Sequence, residues 1–304
     1  MDEIKRLTPT QRPAFLHVFI WNWGADLSLL PEAMKRLGDG YQAVLPEQLS
    51  GLARQYMAQT KLLLRAPRSA VAVAGRALQF DVEARNTTAE PLALSAAVSG
   101  LAQGRITPTS GSAPGWGAVP LTVTGEPQGD RCQVTVDGSF GQRRAQVNLR
   151  LLPQSEMAGE LPKRPLSFVE VFSAAQLAHR SGQAAGDAQA LAGQVWTATQ
   201  GATAAGHIVF GPYRPTPAGR YVAAFRLKRT GPGEGLCLKL DTAVGGGGSP
   251  SSAQRDLRAE DLPLGQWRCV PLTFEHPGGA LETRVFWTGA ASVAADSIVL
   301  WAVR

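Results

Sequence analysis

Apolar residues follow different rhythms in different parts of the chain, and the first change falls near residue 62. Residues 14 to 23, AFLHVFIWNW, are a continuous and mostly apolar run rich in β-branched and aromatic side chains. Such a run predicts a strand buried on both faces of a sheet. Behind it Leu30, Met34 and Leu37 recur at helical spacing, with Gly38 as the stop. YQAVL predicts a second short strand, and PEQLSGLARQYM a second helix that opens on Pro46. Residues 1–62 therefore read as a partial α/β unit. It cannot cover both faces of a parallel sheet alone. Either it packs on another part of this chain, a partner chain or a second copy of itself, or it is the tail of a larger α/β domain.

From residue 66 the period falls to two. AVAVAGRALQFDVEARNTTAEPLALSAAVSG alternates apolar and polar positions, breaks at Asn86-Thr87-Thr88, and resumes. VPLTVTGEPQGDRCQVTVDGSFGQRRAQVNLRLLP adds three more such runs, divided by Gly, Pro and Asp. Short strands with turn punctuation every 8 to 12 residues or so predict an all-β sandwich over residues 66–153. Residues 154–164, QSEMAGELPKR, are polar and read as a linker. Residues 165–304 hold eight strand-like runs, from VEVFSA to DSIVLWAV, which suits a jelly roll. Within them Gly211-Pro212-Tyr213 reads as the end of one strand and a turn, and GGGGSPSS (245–252) as a flexible loop.

Composition agrees with this mainly β reading. Glycine (33) and proline (21) are abundant and charged residues are only 18%, which fits short strands joined by turns better than a helical bundle. The net charge of +6 permits contact with polyanions, but the cations are dispersed. Without a nucleic-acid-binding motif beside them, nucleic acid is not an expected partner. No stretch reaches the ~20 apolar residues of a membrane span. The polar start, MDEIKRLTPTQRP, has no apolar signal core, so the cytoplasm is the default location. The NTT acceptor sequence at Asn86 carries little weight for the same reason. Cys132, Cys237 and Cys269 form no CxxC pair, which speaks against a metal knuckle; Cys237 and Cys269 both fall in predicted strands, where they would be neighbouring or simply buried thiols.

Three resemblances rest on particular stretches. FLHVFIWNWGADLSLL with LGDGYQAVLPEQLSGLARQY, over residues 13 to 58, resembles the closing strands and helices of barrel-like carbohydrate-active enzymes. The nearest of these is the glycoside hydrolase type named for a GxGYxYP motif, and that motif is absent here. FDVEARNTTAEPLAL resembles the immunoglobulin-like spacers that follow catalytic domains in glycosidases. VFGPYRPTPAGRYVAAFRLK, LCLKLDTAV and GQWRCVPLTFEHPGGALETRVFWTGAASVAADSIVLWAV resemble β-sandwich carbohydrate-binding modules of families 6 and 35.

That third resemblance implies a glycan or polysaccharide partner and a structural calcium. In those modules an early A-E-x-L stretch and a late D-x-I aspartate supply carboxylates, and calcium takes hard oxygen ligands. Asp296 fits the late position, while Ala175 stands where the glutamate is expected. Sugar stacking needs exposed aromatic faces. Trp287, Trp301 and Tyr221 sit among apolar residues and read as core, which leaves Trp196, Tyr213 and Trp267 as binding candidates. Catalytic constellations are thin. His17, His179, His207 and His276 are scattered, with no HExxH or GxSxG. Glu32 and Glu47 follow prolines at helix starts, where carboxylates favour the helix dipole. Asp26 and His17 are the pair to test for residual chemistry. The leading reading is a non-catalytic carbohydrate-binding protein, with no catalytic residues assigned. The alternatives are a glycoside hydrolase subunit or fragment completed elsewhere, and a structural protein that assembles through β-domains.

Overall fold

The structure is a computed structural model that describes residues 61–191, 193–245 and 249–304. The α/β unit expected over residues 1–62, with His17, Asp26, Glu32 and Glu47, lies outside the described residues save for its last two positions.

A first group of strands comprises β1 (Leu62–Arg65), β2 (Ser69–Val73), β3 (Leu78–Asn86), β4 (Leu92–Ser99), β5 (Leu101–Thr107), β6 (Ser110–Ala113), β7 (Ala118–Pro127), β8 (Arg131–Gly138) and β9 (Gly141–Leu152). Strands β3, β7 and β5 lie side by side, with β1 also on β3; the second sheet runs β2-β9-β8-β4-β6. Alternation decides which face is buried. Leu78, Phe80, Val82 and Ala84 of β3 are buried, as are Leu121 and Val123 of β7 and Cys132, Val134 and Val136 of β8. Each sheet has one apolar face to cover, and the sandwich-like arrangement covers both.

A second group comprises β10 (Leu166–Ser173), β11 (Gln183–Gly186), β12 (Gln194–Ala198), β13 (Gly206–Thr216), β14 (Gly219–Gly233), β15 (Leu236–Val244), β16 (Ser251–Arg258), β17 (Trp267–His276), β18 (Gly279–Trp287) and β19 (Ala291–Val303). The long central strand β19 pairs with β10 and β12 and also with β14, which pairs with β17. The other sheet runs β13-β18-β15-β16. Phe225, Leu227, Ile298 and Leu300 share one core cluster with Val209, Leu240, Val285 and Trp287. Full burial of a side chain of this size contributes about 1.5–3 kcal/mol.

The two groups meet along strand edges. Phe80 of β3 and Phe168 of β10 are a parallel bridge pair, both buried. The buried Trp301 indole donates to the Val71 carbonyl at 3.1 Å, and Arg304 reaches Asp81 at 2.6 Å. Residues 154–164 connect the groups, yet their first half is no free tether. Ala158 N–H donates to Cys269 O at 3.0 Å, Arg255 donates to Ala158 O at 3.2 Å, and Arg268 donates to Ser155 O.

Other sequence expectations meet the structure in detail. Gly211-Pro212-Tyr213 does not end a strand: pairing of β13 with β18 continues through it, with a bulge between Pro212 and Arg214. The bulge absorbs the irregularity that reads as a turn. Asn86 is 1% exposed, and its Nδ2 donates to the carbonyls of Glu90, Ala113 and Pro114, so the amide is spent inside the fold. The three cysteines are free and buried. Burial pushes the Cys132 and Cys237 thiols up to about 11 and the Cys269 thiol to about 12.

Candidate functional site

Among the described residues four non-glycine positions have a positive φ: Lys61, Gln103, Trp116 and Tyr213. A bulky side chain avoids that region because its Cβ crowds the backbone, so such outliers mark positions the surroundings enforce. Trp116 and Tyr213 are also exposed, at 62% and 38%.

Tyr213 has φ +59° and is the extra residue of the β13 bulge, directly after the cis Gly211–Pro212 peptide. Its hydroxyl donates to Glu282 Oε1 at 2.9 Å. Glu282 is 2% exposed and its other oxygen lies 3.8 Å from the Arg284 guanidinium. Arg284 in turn donates to Asp241 at 2.5 Å, to Ser251 Oγ at 3.1 Å and to Ser249 O at 3.3 Å. Alternate residues of β18 face the same way, and Phe286 continues this row with its ring 5.2 Å from that of His207. Burial, then the Glu282 bond, raises the Tyr213 phenol above its ordinary pKa. Burial, then the nearby Arg284 charge, holds the His207 imidazole below its ordinary value. The result is a partly exposed phenol ring whose hydroxyl is anchored beside paired charges. Such a ring can stack on the C–H face of a sugar, with polar neighbours to meet hydroxyls.

Trp116 sits in the sequence Pro114-Gly115-Trp116-Gly117, with φ +57°. Asn86 is the hub that fixes this turn. Its side chain holds Ala113 O and Pro114 O, and its N–H donates to Gly117 O at 2.8 Å. Trp116 N–H donates to Thr88 O at 2.8 Å. A Cβ on Gly115 would lie 1.8 Å from Ala89 O, so only glycine fits there. Sequence reasoning passed over Trp116. The available signal was a large aromatic between two glycines after a proline, a setting for a turn and not for a core.

The remaining expected site residues have other surroundings. Trp196 is half-buried; its ring stacks on His179 at 3.4 Å and its N–H donates to Ser181 O at 2.8 Å. Trp267 is 5% exposed, with Arg226 and Lys228 at 4.6 and 4.4 Å from its ring. Trp287 and Trp301 are core residues at 0% and 3% exposure. Asp296 is fully buried and receives Arg226 Nη1 at 2.8 Å, while Arg226 also grips both oxygens of Glu156 at 2.8 and 3.0 Å. Trp267 and Asp296 are thus brought together around Arg226, apart from Tyr213 in the sheet order.

Among the described residues, the two positions the resemblance points to do not form a calcium ligand set. Ala175 offers no side-chain oxygen, and the positive charge beside Asp296 is a guanidinium. Among the described residues no group of three or more His, Cys, Asp or Glu side chains is arranged to hold a metal ion. No helix among them is long and apolar enough to cross a membrane.

Fold and site define a mainly β protein of sandwich-like sheets that presents exposed aromatic residues on a constrained backbone. A search of protein families finds none that matches the chain, and a search of curated proteins finds none either. Among solved structures it is similar to WR4, an MSP family member of Caenorhabditis elegans, at 13% identity over 31% of this chain and 99% of that one, with a TM-score of 0.25. The CBM22-1–GH10 modules of the Clostridium thermocellum endo-1,4-beta-D-xylanase 10B, complexed with xylohexaose, match at 9% identity over 40% of this chain and 25% of that one, TM-score 0.28. A calcium binding mutant of Bacteroides uniformis beta-glucuronidase 2 matches at 10% identity over 80% of this chain and 30% of that one, TM-score 0.28. At these TM-scores the likenesses establish neither a family nor a ligand.

Proposed function

We propose that this chain is a non-catalytic carbohydrate-binding protein associated with glycan processing. In this reading residues 66–153 are an immunoglobulin-like sandwich, 154–164 the connection, and 165–304 a jelly roll that carries the glycan contact. The observation behind it is Tyr213: an aromatic ring held 38% exposed on left-handed backbone, with its hydroxyl tied to a buried carboxylate. Nothing in core packing needs a tyrosine there, and a constrained ring loses little entropy when it stacks on a ligand. Trp196, with one ring face on His179, takes a supporting role, whereas Trp267 is 5% exposed against Arg226 and Lys228 and offers no open face for stacking. Shallow stacking of this kind gives dissociation constants roughly in the micromolar to millimolar range. A glycan array probed with the full chain tests the reading. Binding that drops on Tyr213→Ala, in a chain that circular dichroism shows still folded at the assay temperature, supports it. An array without signal sinks it.

A further inference from the structure

We infer that the first group of strands shares in binding, and that the ligand is an acidic polysaccharide lying in a groove across the junction of the two groups. This deepens the glycan reading and rests on it. The groove has a volume of about 1160 Å³, above the roughly 300–1,000 Å³ of a small-molecule pocket. Its size suits a segment of polymer.

Three neighbouring strands form the floor: β7 with Ala118 and Pro120, β3 with Asp81 and Glu83, and β10 with Phe168 to Val171. One rim carries Arg214, the residue after Tyr213. On β7, Ala118 follows Trp116 by two residues, which keeps their Cα atoms within about 8 Å. The two exposed aromatics of constrained backbone thus stand one and two residues along the chain from the groove lining, one in each group of strands. In the proposed complex both rings stack on one polymer, and two such contacts favour a chain over a single sugar, because the second is made at high effective concentration.

The charges decide what kind of chain. Every carboxylate lining the groove already has a cation: Asp81 has Arg304, Glu83 has Arg85, and Glu170 has Arg214. Arg65 and Arg68 also line it, are exposed, and have no side-chain partner among the described residues. The unmatched charge in the groove is positive. Guanidinium groups hold carboxylates by paired hydrogen bonds, so uronate-like carboxylates on the chain complement it.

The test compares the full chain binding polygalacturonate and its carboxyl-reduced counterpart by affinity electrophoresis. The acidic polymer is expected to bind more tightly by about tenfold, with a preference that fades as salt rises. Arg65→Gln with Arg68→Gln should erase the preference. Trp116→Ala should weaken polymer binding by about tenfold without lowering the melting temperature, and Trp116→Phe should restore most of it. If Tyr213→Ala abolishes binding while the Trp116 and arginine variants change nothing, the groove is overturned and the glycan reading survives. If no polysaccharide binds, both fall. Tighter binding of an oligothymidylate than of polygalacturonate overturns the acidic-glycan assignment in favour of a single-stranded nucleic acid.

Discussion

Holding Trp116 and Tyr213 at positive φ costs free energy, of order 1–3 kcal/mol for each non-glycine residue. Asparagine tolerates that backbone better than an aromatic does. Trp116→Asn is therefore expected to raise unfolding stability by about 0.5–1 kcal/mol while it lowers ligand binding, as denaturant titration and the binding assay together would register. A second residue-scale feature is the Arg226 guanidinium, held between Glu156 and a fully buried Asp296. Arg226→Met leaves two carboxylates without their cation and should destabilise by about 3–5 kcal/mol in chemical denaturation. Histidines set a milder pH response. Burial lowers the pKa of His179, against the opposing bond to the Ala174 carbonyl, and burial with the Arg284 charge lowers that of His207. A folded pKa below the unfolded value of about 6.5 means the unfolded chain takes up protons first. The stabilisation is then full above about pH 6.5 and is lost as the pH falls through the lowered folded values. Melting temperatures should decline between about pH 7 and 5, and His179→Phe, which keeps a ring on Trp196, should flatten part of that decline.

At the scale of elements, what the hydrophobic pattern marked and what it missed follow burial: end strands such as β2 and β17 that are covered stand out as inner strands do, and end strands left open do not. Strands with two neighbours, such as β3, β8, β14 and β19, bury alternate or successive apolar side chains and stand out in the sequence. Strands β5, β6, β11 and β16 do not, and each ends its sheet. QAAG and SSAQRDLR bury few side chains, so the ladder alone makes them strands. Tyr213 was legible as an aromatic beside Gly-Pro. Its carboxylate partner, 69 positions away, left no local trace. The same holds for QSEM in the 154–164 segment, which reads as linker because it is polar, although Glu156 satisfies Arg226 at a separation of 70 residues. A consequence is measurable. A fragment starting at residue 154 keeps Glu156 and the Ala158–Cys269 hydrogen bond, and a fragment starting at 165 loses both. Both fragments should fold, since about 140 residues can bury an adequate core. The longer one should melt several degrees higher by differential scanning calorimetry. Equal melting temperatures would show that the clamp contributes nothing.

For the molecule as a whole, the junction decides whether the two groups of strands open together. Trp301 of the interior strand β19 hydrogen-bonds into the first group, with Phe80 and Phe168 bridging beside it. Trp301→Phe removes the only donor on that side chain and should split a shared unfolding transition into two, visible as a broadened calorimetric peak. The buried thiols give that question a chemical clock. Cys132 belongs to the first group, Cys237 and Cys269 to the second, and none of them is bonded to another. With their acidities suppressed by burial, they react with a disulfide reagent only when the surrounding sheet opens. Labelling followed cysteine by cysteine in the intact chain thus times the opening of each half separately. One common rate means the halves open as a unit, and an early Cys132 means the first group lets go before the second.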